Sequence, residues 1–539
     1  MSAAHELIRR GYRVSVYESA SEAGGFFRSA RCSATENLPT EYSWHGMGPW
    51  YHNVFDLLKQ IPFDDSGSIF DRALSRPIGF GIFPDDGQAK FYDRRLRSIQ
   101  KMFRLSNWQW VKWSWLMLKT WGANTRSHEE YARLNAAEQW KPLLNERSYK
   151  IWRSCFGPWI GSDWTNASLH HAGQFFRKLF ITQPSIVHAA DDQGPAWSHR
   201  GGDGWLLLRG PSSEFWFDRW VKDLKEHGVS FSWKAPLGRI DFDGAVITGA
   251  ELESGSEVKA DSYILATNPF AAAEILARTP NLEGLKELCL FKPLVQEGPH
   301  VQVSFRIGFV EPIKFPRTRM AVVVADSEFN LTLFAQEQVW KDGVDLGPNI
   351  KSLWTGTSCA GTVPGRLFNL PVIRCTKEQF LAEVKAQIMS CETLNALIKE
   401  ANDGRELAEF EITKIEVWHE WTFSPDGIQG HQPKWVTSTH TQPYLPNQVT
   451  PVKNLFLAGA HTRTEADVWS IEGAVESGRR AARAIESTVE VISQYKPWWL
   501  RFISLFDDVC YRMGAPHVLD LFLWLILAAA TAAILWILI

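Results

Sequence analysis

A short apolar run near the C-terminus leads into a glycine turn. Residues 454–458 form the run, Gly459 opens the turn, and a helix pattern rich in Gly and Ala begins after Ser470. Small residues at such a turn let the backbone approach a ligand closely, and a helix N-terminus attracts negative charge. This order of residues is suited to holding a large anionic cofactor.

The first residues of the chain have the pattern of the second half of a nucleotide-binding βαβ unit. A helix pattern over residues 3–10 stops at Gly11, and the alternating apolar strand that follows ends at Glu18. An acid at this position of such a unit accepts a hydrogen bond from a ribose hydroxyl. The pattern predicts that Glu18 binds an adenosine ribose.

A second glycine turn follows Glu18. Gly24 and Gly25 begin it, and Arg28 and Ser29 come directly after it. Consecutive glycines let backbone N–H groups face an anion, and an arginine supplies positive charge for phosphate oxygens. We expect this turn to contribute to the phosphate end of the same site.

Together these segments resemble the FAD-binding segments of the amine oxidase and phytoene desaturase superfamily of flavoproteins. The resemblance covers both ends and the middle of the chain before its last helix. It implies an α/β fold in which a Rossmann-like FAD-binding domain, of the amine oxidase or glutathione reductase type, is interleaved with an α+β substrate domain. It further implies an FAD-dependent oxidoreductase.

The resemblance also assigns positions to the cofactor. It places the backbone of Leu237 against adenine, the strand end at Ala266 beside the flavin, and the segment 44–49 against one face of the flavin ring. His461, directly after the C-terminal turn, is expected to approach the flavin. The predicted cofactor-binding residues are Glu18, Gly24, Gly25, Arg28, Ser29, Gly46, Met47, Gly48, Leu237, Ala266, Gly459, Ala460, His461, Glu472, Gly473 and Ala474.

Three features depart from the family pattern. In the family, the G-x-G-x-x-G fingerprint and its strand stand directly upstream of the position of Ser2. We therefore expect either that the first residue of this sequence lies downstream of the true start of the protein, or that the protein is a shortened form with impaired flavin binding. The first is favoured, because a lone helix and strand leave apolar surface and sheet hydrogen bonds unpaired. Ala460 stands where many relatives carry an acid for the ribityl chain. No cysteine lies close before Asn454, so FAD is expected to bind noncovalently.

The chain is expected to alternate between the two domains. Residues 215–265 predict a helix, a strand, a hairpin and a strand, and a further helix is expected around 377–389. The FAD-binding domain is expected to comprise three segments, 1–95, 196–275 and 436–490. The substrate domain is expected to lie between them, as a helical cap at 96–195 and a second segment at 276–435. A juxtamembrane linker (491–517) and a transmembrane anchor (518–539) complete the expected order.

Composition excludes several classes of protein. The formal net charge of −3 argues against a nucleic-acid-binding protein, because no general basic field is present. The seven cysteines are odd in number and scattered without C-x-x-C, which is typical of reduced, cytosol-facing protein and not of a disulfide scaffold or a zinc site. Metal ligands are therefore not predicted. The 26 tryptophans indicate large apolar or aromatic-lined surfaces.

The last residues predict a single-pass membrane anchor. Residues 521–539 are uncharged, and at about 1.5 Å per residue they span roughly 28 Å, close to the thickness of a bilayer's hydrocarbon core. Lys496, Arg501 and Arg512 precede the segment, so the positive-inside rule places the large N-terminal portion in the cytosol. The bilayer is thus an expected partner, with Trp498 and Trp499 at the headgroup level.

A mixture of tryptophan and basic residues precedes the middle of the chain. Trp108, Trp110, Trp113, Trp115 and Trp121 interleave with basic residues. Such a mixture fits an interfacial surface near anionic lipid. A helical cap packed on the core fits the same pattern equally well.

The resemblance leaves the substrate open. A flavin accepts the hydride itself, so the protein mainly orients the substrate and excludes water. The sequence contains no acid–base motif such as G-x-S-x-G or H-E-x-x-H. No catalytic residue is therefore predicted. Trp354, Trp418, Trp421 and Trp435 could line a pocket, although structural burial is expected for each. A lipophilic substrate of polyisoprenoid or carotenoid type is favoured over an amine, and a noncatalytic membrane scaffold is the remaining alternative.

Overall fold

The structure, a computed structural model, describes residues 1–42, 45–75, 78–91, 96–181, 205–279, 281–315 and 320–538. The described α-helices are α1 (Ser2–Ile8), α2 (His52–Gln60), α3 (Ile69–Ala73), α4 (Leu96–Met102), α5 (Asn107–Gly122), α6 (Thr125–Glu129), α7 (Ala136–Trp140), α8 (Glu146–Ile160), α9 (Leu169–Phe180), α10 (Asp218–Glu226), α11 (Pro269–Ala277), α12 (Phe291–Leu294), α13 (Lys377–Met389), α14 (Glu392–Ala401), α15 (Ile471–Ile485), α16 (Trp498–Arg512) and α17 (Val518–Leu538).

The described β-strands are β1 (Ser15–Glu18), β2 (Ser29–Ala30), β3 (Thr40–Glu41), β4 (Pro62–Asp64), β5 (Gly67–Ser68), β6 (Gly79–Phe83), β7 (Lys90–Phe91), β8 (Ser230–Trp233), β9 (Leu237–Phe242), β10 (Ile247–Leu252), β11 (Glu257–Val258), β12 (Tyr263–Leu265), β13 (Val303–Phe309), β14 (Met320–Val324), β15 (Leu331–Ala335), β16 (Ser352–Ser358), β17 (Ile412–Val417), β18 (Trp421–Ser424), β19 (Gly427–Gly430) and β20 (Leu455–Leu457). The predicted order of helix, strand, hairpin and strand over 215–265 is confirmed, as is the helix at 377–389.

Two pairs of parallel strands carry the segments expected to bind the cofactor. β1 pairs with β8, and β12 pairs with β20, in separate sheets. Both pairs are parallel and join distant regions of the chain, as an α/β fold requires. The fingerprint strand expected upstream of Ser2 stays a prediction.

The first helix packs closely on the last helix of the cofactor-binding domain. A Cβ at Gly478 of α15 would lie 2.8 Å from the Cβ of Ser2 in α1, so the two backbones approach where only glycine fits. The buried guanidinium of Arg479 lies 2.9 Å from Glu6 and 2.6 Å from Asp56. These ion pairs fix α1 and α2 against α15.

A seven-stranded sheet forms the core of the second domain, in the order β17-β13-β16-β15-β14-β6-β7. Its central strands are fully buried, with Ile307 opposite Trp354. Residues 1–95 are predicted to form the first segment of the FAD-binding domain. Within this segment, β6 and β7 are strands of the seven-stranded sheet, and β6 pairs in parallel with β14, with Gly81 opposite Val322.

The tryptophans considered for a substrate pocket pack into the core. Trp354 lies against Phe309 and Phe315, Trp421 stacks on Tyr42, and the indole of Trp435 donates to the carbonyl of Leu294. Trp418 is also buried. Their contacts support the structural interpretation.

The last two helices differ from the rest in their exposure. The segment Val518–Trp536 of α17 is long and apolar enough to cross a membrane, and none of it is buried in the protein. Its first turn is held by the body, because Asp520 accepts hydrogen bonds from Trp115 at 3.0 Å and from Lys119 at 2.9 Å in α5. The apolar helix therefore begins on the helical segment 96–181.

Candidate functional site

The carboxyl ends of β12 and β20 meet at one edge of their sheet. Ile264 lies opposite Phe456, and the backbone N–H of Ala458 donates to the carbonyl of Leu265 at 3.1 Å. Ligands of α/β folds bind at this edge, where parallel strands end. The pairing brings the predicted residue Ala266 to the same place as the turn that begins at Gly459.

The turn after β20 requires glycine. Gly459 has a φ of 135°, and a Cβ there would lie 2.4 Å from the ring of His461. Its N–H donates to the Ser477 hydroxyl at 2.8 Å, which ties the turn to α15. Ala460, directly after it, is partly exposed and offers no charged group.

Two buried polar atoms at this edge have no hydrogen-bond partner among the described residues: Thr267 Oγ1 and His461 Nε2. The His461 ring packs against Phe291 and Trp435, and burial lowers its pKa to about 4, so the imidazole is neutral at physiological pH. A buried polar atom without a partner is costly. Both atoms therefore fit a site whose remaining partners come from a ligand.

Leu237 begins β9, which belongs to a different sheet from β12 and β20. It packs against the apolar cluster that includes Leu265 and Leu457. The strand pairing thus brings Ala266 and the Gly459–His461 turn together, and Leu237 shares the apolar core of these strands.

Glu472 lies at the start of α15, but its carboxylate is occupied by protein groups. It accepts hydrogen bonds from the N–H groups of Asn53 and Val54 in the first turn of α2, and from the Gln494 amide. Burial raises the pKa of Glu472 to about 7, against the effect of these donors. The side chain caps α2 from a distance, so a cofactor contact at Glu472 would have to use its backbone. Gly473 and Ala474 follow it in α15.

Glu18 ends β1, and the predicted glycine turn follows it. The Glu18 carboxylate ends β1 and accepts a hydrogen bond from the Ala20 N–H at 2.9 Å. Gly24 and Gly25 both have positive φ, and a Cβ at Gly24 would lie 2.9 Å from the Phe217 ring. The glycines are thus required by the local backbone.

Arg28 and Ser29 are bound to protein partners. Arg28 is buried, and its Nη2 lies 2.5 and 2.6 Å from the two carboxylate oxygens of Glu420. The Ser29 hydroxyl accepts from the N–H of Ser213, and its own N–H donates to the Ser213 hydroxyl. A phosphate contact at Arg28 would compete with Glu420.

The segment 45–48 lies next to the turn at Gly24. His45 Nε2 hydrogen-bonds the carbonyl of Phe26 at 2.9 Å, and its ring packs on Phe27. Trp44 and residues 201–204, also assigned to the cofactor domain from the sequence, lie outside the described residues. A cavity of about 20 Å³ beside His45 is lined by Glu41, Ser212 and Gln336 among others, which is room for about one water.

Met47 and its flanking glycines are held by backbone pairing. The backbone of Met47 exchanges hydrogen bonds with Leu206 at 2.8 and 3.0 Å, and a Cβ at Gly48 would lie 2.5 Å from the Trp50 ring. Gly46 is partly exposed. Because Gln494 donates to the Trp50 carbonyl as well as to Glu472, this segment is joined to the start of α15.

A buried lysine that the sequence analysis did not single out lies where three regions of the fold meet. Lys434 Nζ donates to the carbonyl of Gly161 at 2.5 Å and to the Gln302 side chain, and it lies 5.1 Å from the centre of the Trp469 ring. Burial lowers its pKa to about 7. In the described portion of the chain no carboxylate forms an ion pair with it. A partly charged amine without a counter-charge is a candidate proton carrier.

The loop before α15 is fixed to the helical segment by an ion pair. His170 Nε2 lies 2.9 Å from Asp467 Oδ2, and Ser127 hydrogen-bonds the other ring nitrogen. Burial raises the pKa of Asp467, but the nearby His170 and His128 lower it by more than that, so the net shift is downward.

His128 completes a group of possible metal ligands. One ligand atom each from His128, His170 and Asp467 lie within 4.8 Å of one another. Asp467 is already engaged by His170 and interacts electrostatically with Lys178. We interpret the group as a polar network that positions the loop.

Residues 1–288 and 409–486 match the family model described as flavin containing amine oxidoreductase. The chain belongs to this family. It is thus a flavin-dependent oxidoreductase, with the mixed α/β fold predicted from the sequence. The unpartnered Thr267 and His461 atoms and the glycine turn at Gly459 fit a flavin at this edge.

Several solved structures have a similar fold. An oxidoreductase from Methanosarcina mazei is 13% identical, with 90% of this chain and 97% of that chain covered and a TM-score of 0.55. Cyclohexylamine oxidase from Brevibacterium oxydans is 15% identical, with coverage of 90% and 95% and a TM-score of 0.53. Putrescine oxidase bound to putrescine is 12% identical, with coverage of 90% and 96% and a TM-score of 0.57. No curated protein matches the chain.

Proposed function

We propose that this flavoenzyme is anchored in a membrane by α17 and oxidises or desaturates a lipophilic substrate of polyisoprenoid or carotenoid type. The observation that carries the proposal is the junction of Asp520 with Trp115 and Lys119. It places the start of an apolar helix on the helical segment that, by the family pattern, covers the substrate site. A substrate drawn from the bilayer would then have a short path to the site.

The cofactor in this proposal is FAD, bound noncovalently. Residues 454–474, which include the turn and the start of α15, contain no cysteine that could form a thioether. When bound, the flavin supplies the hydride acceptor. The side chains of Thr267 and His461 would form hydrogen bonds with the polar edge of the flavin. The turn at Gly459 would allow the backbone to approach the flavin closely.

Lys434 has a separate role in the proposed chemistry. Its Nζ can hold or release a proton near neutral pH, because burial brings its pKa to about 7. In this proposal its neutral amine accepts the proton that leaves the substrate as the hydride is transferred. The aromatic ring of Trp469 and the packed helical segment exclude water around it.

Amine oxidation is the second candidate, and the fold neighbours favour it. Two of them are amine oxidases by name, cyclohexylamine oxidase and putrescine oxidase. Lys434 does not decide between the two candidates, because its neutral form, which can accept a proton, does not repel a protonated amine. The preference for a lipophilic hydrocarbon rests on the apolar helix α17.

The orientation of the anchor belongs to the same proposal. Lys496, Arg501 and Arg512 precede α17, and under the positive-inside rule these basic residues support a body on the cytosolic side.

The test is anaerobic reduction of the purified protein. The full chain is extracted from membranes in mild detergent, its flavin is released with acid and identified, and the flavin absorbance is followed after addition of a carotenoid precursor or a primary amine. Bleaching by the hydrocarbon supports the proposal, and bleaching by the amine alone supports the second candidate. A colourless protein would favour the noncatalytic scaffold.

A further inference from the structure

The helix before the apolar C-terminal helix exposes a continuous apolar face. Trp498 and Met513, at its two ends, are 79% and 78% exposed, and Leu505 between them is 63% exposed. At the helical repeat these positions lie within an arc of about 100° on one side of α16. The exposed apolar residues of this face are Trp498, Phe502, Leu505, Phe506, Val509 and Met513.

The opposite side of α16 is fixed to the body. Asp507 is fully buried and bonds Arg126 of α6 at 3.1 Å. Ile503 lies so close to α5 that a Cβ at Gly122 would be 2.6 Å from its side chain. Because these contacts set the rotation of the helix, the apolar face cannot turn inward without breaking them.

A second group of exposed apolar residues lies on α5, the helix that packs against α16. Trp108 is 66% exposed and Val111 is also exposed, and Lys112 Nζ lies 5.2 Å from the centre of the Trp108 ring. Together the two groups are far more than the single exposed apolar residues of a soluble surface. They therefore mark an interaction surface.

We infer that the apolar face of α16, together with Trp108 and Val111 of α5, lies in the interface of the lipid bilayer. This inference rests on the membrane attachment proposed above. The exposed segment of α17 that follows is apolar on all sides. A protein partner that covered α16 would lie beside that helix, whereas a bilayer accommodates both.

The charged residues at the edge of the apolar face of α16 also favour the lipid bilayer as its partner. Arg501 and Arg512 are exposed and flank the apolar arc on one edge. Asp508, on the same edge, is engaged in capping the N–H of Thr125 at 2.9 Å. Two arginines beside an apolar arc match anionic lipid headgroups, as in helices that lie flat on membranes.

The consequence is a fixed orientation of the enzyme. The first turn of α17 is already held by Trp115 and Lys119, and a docked α16 adds a second attachment that holds the helical segment against the lipid. The helical segment, and with it the proposed substrate path, would then face the bilayer directly.

The test uses the full chain in vesicles of phosphatidylcholine and phosphatidylserine. Cys32, Cys289 and Cys510 are replaced by serine, and an environment-sensitive fluorophore is attached to Leu505→Cys. Phe502→Cys provides a second site on the same face. The matched control is Lys222→Cys on α10, where the side chain is 78% exposed.

We expect the fluorescence emission of the label at position 505 to shift to shorter wavelength and to be quenched by lipids that carry a spin label near the headgroup. Iodide should quench this label several-fold less than it quenches the label at position 222. Equal iodide quenching at both positions in protein that survives an alkaline wash overturns the inference and leaves the anchor intact. Protection from iodide with disulfide-linked dimers and no lipid quenching also overturns it, because a second copy then covers the face. Loss of the protein from the vesicles refutes both the docking and the anchor, independently of flavin reduction.

Discussion

The carboxylate of Glu472 caps a helix more than four hundred residues away in sequence. Its Oε1 accepts hydrogen bonds from the backbone N at 3.0 Å and from Nδ2 at 2.9 Å of Asn53, in the first turn of α2. Four helix N–H groups lack partners at any helix start, and an acid also complements the helix dipole there. This contact joins the C-terminal cofactor segment to the N-terminal one.

Removing this acid should destabilise the protein. In Glu472→Ala the buried N–H groups of Asn53 and Val54 lose their acceptor. The expected cost is roughly 1–3 kcal/mol, measured as a lower melting temperature of the detergent-solubilised chain. The control is Glu226→Ala on exposed α10, for which no shift is expected. An unchanged melting temperature in Glu472→Ala would show that the cap contributes nothing.

The same residue should make stability depend on pH. Burial raises the pKa of Glu472 from 4.5 to about 7, so the folded state binds this proton more tightly than the unfolded chain. Its contribution to stability is complete below about pH 4.5 and is lost as the pH rises through about 7. The melting temperature of Glu472→Gln should lack this component of the pH dependence. An identical slope in both proteins would contradict the assignment.

A methyl group at Gly459 should block the flavin. In Gly459→Ala the Cβ would lie 2.4 Å from the His461 ring and displace it, so we expect the flavin-to-protein ratio to fall several-fold. Gly255→Ala is the matched control, because Gly255 also has positive φ, at 83°, but open space around its Cβ position. An unfavourable positive φ is thus common to both variants. Equal flavin content in the two would place the cofactor elsewhere.

Arg28 and Glu420 should have opposite effects on cofactor affinity. If Arg28 serves the phosphates, Arg28→Gln weakens flavin binding, whereas Glu420→Gln releases the guanidinium and strengthens it. The measurement is the dissociation constant of FAD from the reconstituted protein at low and high salt. Weaker binding in both variants would show that the ion pair, at 2.5 Å, is purely structural.

Lys434 should set the pH dependence of flavin reduction. Burial lowers its pKa to about 7, so the neutral amine predominates above that pH and the reduction rate should rise through it. Lys434→Met should remove this inflection and lower the rate by about a hundredfold, a typical contribution of a proton-transfer group.

Stability provides the control for Lys434. A lysine whose pKa is lower in the folded protein than in the unfolded chain destabilises the fold at every pH below its unfolded pKa. Lys434→Met is therefore expected to have a melting temperature at pH 7 no lower than that of the parent. A slow, stable variant with the inflection unchanged would assign the proton transfer to another group.

Local pattern was enough to predict the elements, but not their long-range contacts. The helix at 377–389 was predictable because Thr376 and Gln379 form a capping box before the buried residues Phe380, Val384 and Ile388, which recur at helical spacing. The β20 turn was predictable because few residues other than glycine adopt its φ. Lys434 could not be found this way, since its partners Gly161 and Gln302 come from two other regions of the chain.

The partners of predicted residues were equally hidden. Sequence alone predicts Arg28 as a phosphate ligand, and only the fold shows Glu420 beside it. Glu472 is likewise predicted as a cofactor residue, and only the fold shows that it caps α2. Sequence spacing determines which backbone comes close to a ligand. It does not determine which side chain satisfies a buried charge, because that depends on tertiary packing.

The most direct test of the account is anaerobic flavin reduction by a membrane-derived substrate. The full chain, purified from the membrane fraction, should carry releasable FAD whose absorbance bleaches when a polyisoprenoid or carotenoid precursor is added in vesicles, and should not bleach with primary amines. Bleaching by an amine with no response to the hydrocarbon would contradict the proposed substrate, and a protein that binds no flavin under any condition would contradict the proposed function itself.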